Sequence, residues 1–301
     1  MNKWPSLKQL HYLITLYETR HFSEAAEQCF VSQSTLSKGI QNLQNLIGCP
    51  LFERADKKGP LVFTYAGEQV VKNGRELLAK GKDLIELGQQ CQRGPMEGQL
   101  KLGCIPTIAP FLLCDLVQEL NLRYPKLHLL LREDTTANLL NALRLGELDV
   151  LILALPMDIG HMTSRIVGRD PFRMVISRHQ AGHIRVPLTY ADLPDESVFL
   201  LEHEHCLTEH AVSACQLTDK DKINPFMATS LHTLVQMVAN GLGMTFIPQM
   251  AIDHGLLDNQ NLVIVEPPGQ QAYREIGLVW RPGSTRQSTF EELADVVKNQ
   301  L

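Results

Sequence analysis

The stretch HEHCLTEHAVSACQL, residues 203–217, sets Cys206 and Cys215 nine positions apart and puts His203, His205 and His210 around the first cysteine. Metal ligation, a permanent disulfide, inert core thiols and a reactive thiol pair all use these atoms. Dedicated zinc sites have tighter spacing, of the C-x2-C or H-x3-H kind. On a helix only positions three or four apart share a face, so Cys206 could join His210 but not Cys215. No metal is expected, and metal ligation stands as the competing reading of this stretch. LTEHAVSA, residues 207–214, contains no Gly or Pro and offers Leu207, Ala211 and Ala214 as an apolar stripe, which predicts a helix. Nine residues of helix span roughly 13.5 Å, whereas the Cα atoms of a disulfide lie within about 7 Å. A bond between these two sulfurs therefore requires the helix to rearrange.

The other cysteines, Cys29, Cys49, Cys91, Cys104 and Cys114, lie in apolar contexts that suit inert core thiols. Cys206 differs. It falls where the apparent strand SVFLLE gives way to the helix, a place where backbone amides favour a thiolate, and it follows His205. A lowered pKa would make Cys206 a nucleophile toward peroxide, and the resulting sulfenic acid could be resolved to a disulfide by Cys215.

The elements that must hold such a pair are readable in outline. From about residue 100, apolar bursts alternate with amphipathic stretches: LKLGCIPTI, HLLLRED, LDVLILALP, FRMVISR, SVFLLE, MTFIPQ, NLVIVEP and EIGLVWR. That alternation predicts βαβ units and a mostly parallel sheet in an α/β domain. Before residue 90 the texture is helical, with no convincing strand until LVFT at 61–64. Gly94-Pro95 marks a boundary. A helix is expected over residues 65–91, where Val70, Leu77 and Leu84, and likewise Val71, Leu78 and Ile85, recur at sevens. Such a repeat on a polar helix wants a partner helix, so dimerisation is expected here. Gly74 and Gly81 weaken that helix and suit close packing.

The chain carries a net charge of −5, but residues 1–90 hold 11 basic against 9 acidic side chains while the rest hold 17 against 24. Only the N-terminal piece has the sign for a polyanion. Nothing approaches a run of about 18 apolar residues, and the N-terminus lacks a secretory signal, so a cytoplasmic protein is expected. The odd total of 7 cysteines fits a reducing compartment.

HFSEAAEQCFVSQSTLSKGIQNLQNLIGCPLFER, residues 21–54, is the most specific long motif. Ser23 can cap a helix in which Ala25 and Ala26 allow close approach, Phe30-Val31 closes a turn, and Ser32 or Gln33 starts the next helix. Leu36, Ile40, Leu43 and Ile47 form a buried face there. The opposite face presents Gln33, Ser34, Thr35, Ser37, Lys38 and Gln41 near the helix N-terminus, side chains that hydrogen-bond base edges and phosphates.

This motif closely resembles the winged helix-turn-helix of LysR-type transcription regulators. The resemblance implies a DNA-binding domain over residues 1–64, a linker and dimerisation helix over 65–92, and a two-lobed sensor domain like periplasmic binding proteins over 93–301. Lobe one would be 96–167 with 270–301, and lobe two 168–269. Arg54, with Lys57 and Lys58, would reach phosphate from the wing. Ser34 stands where many members have proline, and Gln44 where many have glutamate.

Further landmarks resemble the peroxide-sensing branch of that family: GCIPT (103–107), EDTTANLL (133–140), LLEHEHC…C (200–215), ATSLHTL (228–234) and GLVWRPGS (277–284). The resemblance implies a peroxidatic Cys206, a resolving Cys215, an adjacent His205, Thr107 and Thr136 as hydroxyls that position hydrogen peroxide, and Arg281 as the cation steadying the thiolate. It also implies promoter DNA as partner, a homodimer or homotetramer, an activator working with RNA polymerase, a cellular dithiol reductant, and no cofactor or enzymatic role. Where that branch has a basic residue after Cys-Leu, this chain has Thr208 and Glu209, which removes one positive charge near the thiol. The alternative function is a LysR-type regulator answering a small-molecule co-inducer bound between the lobes.

Overall fold

The computed structural model describes all residues except 1–3, 55–60, 91–93, 183–188, 203–205, 259 and 269–271. The chain divides into two compact units, one of residues 1–92 and 144–147, the other of residues 93–143 and 148–301.

In the first unit, α1 (Leu7–Thr19), α2 (Phe22–Gln28) and α3 (Gln33–Ile47) precede a two-stranded ribbon of β1 (Phe52–Arg54) and β2 (Leu61–Phe63) and the long α4 (Tyr65–Gln90). Ser6 and Gln9 cap α1 reciprocally, each side chain meeting the other's backbone N–H. Ser23 does not cap α2. The helix starts one residue earlier, after an N-cap His21 that makes no side-chain bond. Phe30 takes a left-handed turn conformation at φ 54°, and Ser32 then caps α3 by accepting from the Thr35 N–H at 3.2 Å. Leu36, Ile40 and Leu43 are fully buried, whereas Ile47, in the last turn, is 41% exposed and leaves the stripe. Gly48, at φ 84°, ends α3 in the left-handed conformation glycine favours. Gly67 lets α4 approach the preceding chain, because a Cβ there would sit 1.8 Å from the Leu51 carbonyl oxygen.

The second unit is a nine-stranded sheet in the order β4-β3-β5-β11-β6-β9-β7-β8, with β10 paired to β6. Its elements are β3 (Gly98–Cys104), α5 (Ala109–Arg123), β4 (Leu127–Glu133), α6 (Thr136–Arg144), β5 (Val150–Leu155), β6 (Thr163–Ser177), α7 (Arg178–Ala181), β7 (Val198–Leu201), α8 (Cys206–Ala214), β8 (Ile223–Ala228), α9 (Leu231–Ala239), β9 (Met244–Pro248), α10 (Gln249–Asp253), β10 (Leu262–Val265), β11 (Tyr273–Trp280) and α11 (Gln287–Lys298).

The sheet is mixed rather than mostly parallel. β3 runs parallel to β4 and β5, and β7 to β8 and β9, but β6, β10 and β11 pair antiparallel. The 15-residue β6 explains this. Its first part pairs with β11 and its last part with β9 and β10, so one long strand joins both halves of the sheet. Every residue of β5 is buried, as expected of a central strand covered on both faces.

Because β11 is antiparallel to β5, Glu275 lies opposite Leu155, the last residue of β5. The first residues of β11 therefore meet the segments that follow β3 and β5. In open α/β sheets the carboxyl ends of strands are where small molecules bind.

Candidate functional site

α8 is an unbroken helix with Cys206 as its first residue and Cys215 just past its end. Both sulfurs are free thiols, Cys206 half-buried and Cys215 fully buried. The helix keeps them apart, as its length requires. Its C-terminus closes with the Cys215 N–H on the Ala211 carbonyl and the Leu217 N–H on the Val212 carbonyl, with Gln216 at φ 55°. Its first turn is tied down by Thr208, whose buried hydroxyl donates to the Leu201 carbonyl at 2.7 Å.

Two opposing influences act on Cys206. Burial is the largest and pushes the thiol above its ordinary value. The Thr136 side chain, which hydrogen-bonds the sulfur, and the positive field of Arg274 pull it back, while Glu209 pushes it up again. The lowered pKa expected from the helix N-terminus is thus not found. Desolvation outweighs the donors, and the acidic Glu209 stands on the wrong side of the balance. Cys215 is pushed up to about 12, chiefly by burial, which outweighs the opposing pull of the nearby Tyr190 side chain.

Arg274 is the cation of this site. Only 1% exposed, it donates from Nε and Nη2 to one oxygen of Asp170 at 3.0 and 2.9 Å, and from Nη1 to the Thr107 hydroxyl at 2.8 Å. Thr107 thus sits beside the cation and Thr136 beside the sulfur. Arg281 is placed elsewhere: its guanidinium donates to the carbonyls of Leu143 and Leu148 at 2.8 and 2.7 Å. The reason is strand length. Seven residues of extended chain at about 3.4 Å each put the two arginines roughly 24 Å apart, at opposite ends of β11. His205 lies outside the described residues, as do His203, Lys57 and Lys58. Among the described residues no group of three or more His, Cys, Asp or Glu stands together as a metal site.

Cys114 is exposed, so it is not the core thiol its sequence context suggested, whereas Cys104 is buried and its thiol is raised by desolvation. Tyr190, Asp170 and Arg274 carried no sequence signal for the site. Their importance comes from strand direction and from contacts across long stretches of chain.

In the N-terminal unit, Gln33, Ser34, Thr35, Ser37, Lys38 and Gln41 are all exposed on α3, opposite its buried stripe. Arg54 ends β1 in the ribbon that follows. A helix-turn-helix with an exposed polar second helix and a ribbon beside it, joined to an α/β domain with its chemistry at the strand ends, defines a DNA-binding regulator with a sensor domain.

The comparisons with known proteins agree. Residues 7–68 match the "Bacterial regulatory helix-turn-helix protein, lysR family" and residues 93–301 the "LysR substrate binding domain". The chain belongs to the LysR family of transcription regulators. It is 40% identical to the HTH-type transcriptional regulator EstR of Acinetobacter baylyi, covering 98% of this chain and 96% of that one. It is 36% identical to the DNA-binding transcriptional dual regulator OxyR of Escherichia coli K12, over the same shares of the two chains. Among solved structures, the reduced regulatory domain of OxyR2 from Vibrio vulnificus is 79% identical with a TM-score of 0.68, covering 69% of this chain and 98% of that chain. Among the described residues no helix is long and apolar enough to cross a membrane.

Proposed function

We propose that this regulator senses hydrogen peroxide through Cys206 and controls oxidative-stress genes. The observation that carries this reading is the placement of Cys206. It heads α8 with the Thr136 hydroxyl on its sulfur and the buried Arg274 cation acting on it, while a second free thiol waits at the far end of the same helix. A co-inducer pocket has no need of that arrangement.

The Cys206 thiol first gives up its proton, a step that Arg274 and Thr136 favour against burial, and the thiolate attacks one peroxide oxygen. An S–O bond forms, the O–O bond breaks, and the departing hydroxide takes a proton to leave as water. Cys206 is now a sulfenic acid. Thr136 and Thr107 supply hydroxyls that both donate to and accept from peroxide, and Arg274, charged at any working pH, stabilises the anion. Once α8 rearranges, the Cys215 sulfur attacks that of Cys206, an S–S bond forms, the S–O bond breaks and a second water leaves. Two thiols have given up two electrons. A cellular dithiol returns them and resets the switch.

In this reading the chain is a cytoplasmic activator rather than an enzyme, paired through α4 into a homodimer or homotetramer. It binds double-stranded promoter DNA and works with RNA polymerase. The sensor domain divides at 167/168 and 269/270 into lobes whose packing changes with α8. Mass spectrometry after a brief, near-stoichiometric peroxide pulse tests it. The expected result is a peptide linked between 206 and 215, lost in both Cys206→Ser and Cys215→Ser, accompanied by a changed promoter footprint. Linkage of other cysteines, or a Cys206→Ser variant that keeps its response, overturns it.

A further inference from the structure

α8 carries a polar side chain that the peroxide chemistry does not use. His210 lies four residues after Cys206, on the same helical face, and is buried. Its Nε2 is 2.9 Å from the carbonyl oxygen of Pro156, the residue after β5. A carbonyl only accepts, so Nε2 carries the proton and Nδ1 is left as an acceptor. That Nδ1 is buried with no hydrogen-bond partner among the described residues. His210 lines a cavity of about 620 Å³ with Leu155, Pro156, Tyr273 and Glu275. His210 thus ties α8 to the chain at the end of β5.

We propose that His210 is a positioning residue for disulfide formation: its bond to Pro156 latches α8 in place and holds Cys206 and Cys215 apart until the latch opens. This rests on reading Cys206 and Cys215 as the redox pair.

The latch has a pH sign. Arg274 faces His210 from β11, Glu209 from its own helix and Glu275 across the cavity; the chain after β5 presents the Pro156 carbonyl. Burial first, then Arg274, hold the imidazole below its ordinary value, against the opposing pull of Pro156 and Glu209. A latched helix thus takes up a proton less readily than a released one. Release is favoured as pH falls through the ordinary histidine value of about 6.5.

The experiment uses the full chain as wild type, His210→Leu, which lacks both donor and titration, and His210→Gln, which keeps a donor but does not titrate. Hydrogen exchange of the α8 amides is measured in the reduced protein, and the linked peptide is followed by rapid quench after peroxide. At pH 7.5, His210→Leu is expected to exchange α8 amides and form the linkage about fivefold faster, the factor for one net hydrogen bond. Loss of the Cys206 thiol should stay within about twofold of wild type, since the latch acts after that step. Between pH 7.5 and 5.5 the ratio of wild-type to His210→Gln exchange rates should rise. Equal α8 exchange in wild type and His210→Leu, or a flat ratio with pH, overturns the latch whether or not the linkage forms. Exchange that follows the expected pattern while no 206–215 peptide appears supports the latch and overturns the peroxide reading instead.

Discussion

Arg274 and Thr107 meet through a 2.8 Å hydrogen bond from guanidinium to hydroxyl, and the same guanidinium is anchored on Asp170. The Arg274–Asp170 ion pair stands 0% and 2% exposed at the side chains, so deleting one partner alone leaves an uncompensated buried charge, typically costing about 3–5 kcal/mol. The informative variant removes both charges together. Arg274→Gln with Asp170→Asn is expected to fold, and to lose the positive field that lowers the Cys206 thiol. Its pH profile of Cys206 alkylation should move to higher pH than that of wild type. An unmoved profile means the cation does not act on the sulfur.

The choice of cation shows what the sequence could and could not say. Arg274 and Arg281 bracket one strand, and only the pairing of β11 against β5 decides which bracket meets the Cys206 end of the sheet. Strand direction is a tertiary property and leaves no local mark. Tyr190 was invisible for the same reason, since it meets Cys215 from a turn 25 positions earlier. The helix between the cysteines was legible because residues 207–214 hold no breaker, and the α3 face because its buried stripe repeats at helical spacing. The thiol's direction of shift was not. A helix N-terminus can be read from sequence, but how far the surrounding chain excludes water from Cys206 cannot.

On α3, Lys38 and Gln33 are both exposed but are expected to behave differently. Lys38→Ala should weaken promoter and non-promoter DNA alike and lower the slope of log affinity against log salt by about 1. Gln33→Ala should cost about 1–3 kcal/mol on promoter DNA with little change in that slope. Fluorescence anisotropy across a salt series separates them. Identical behaviour would remove α3 as the reading helix.

The repeat on α4 splits in two. Val71 is buried and Val70 and Leu78 pack on the helix-turn-helix core, whereas Leu77, Leu84 and Ile85 are 50%, 72% and 67% exposed. The first set serves its own domain, and the second is the exposed face that the proposed dimer would cover. Leu84→Glu with Ile85→Glu should raise the dimer dissociation constant at least about tenfold, since two apolar burials of about 1.5–3 kcal/mol each are forfeited. Sedimentation velocity reads this directly, and unchanged assembly would place the interface elsewhere.

Cys215 links stability to alkaline pH. Its thiol sits at about 12 in the fold against an ordinary 9.0, so the fold favours the neutral form. That contribution is complete below pH 9 and is lost as pH climbs toward the folded value, at about 1.4 kcal/mol per unit. Under reducing conditions, urea unfolding of wild type should therefore weaken between pH 7.5 and 10 more steeply than that of Cys215→Ala, by about that amount. Parallel slopes would show that Cys215 ionises as freely in the fold as in the open chain.

Gln216 closes α8 in the left-handed conformation at φ 55°, a position glycine adopts without cost and other residues occupy at roughly 1 kcal/mol. The helix that separates the two sulfurs therefore ends on a residue that weakens it. Gln216→Gly should firm that end, partly offset by the greater freedom glycine has in the open chain. Since Cys215 reaches Cys206 only after this turn comes apart, linkage after a peroxide pulse should slow by up to about fivefold, while the initial loss of the Cys206 thiol proceeds as before. Rapid quench with mass spectrometry resolves the two steps. A variant that forms the linkage as fast as wild type would mean that unwinding the C-terminal turn of α8 is no part of the rate-limiting rearrangement.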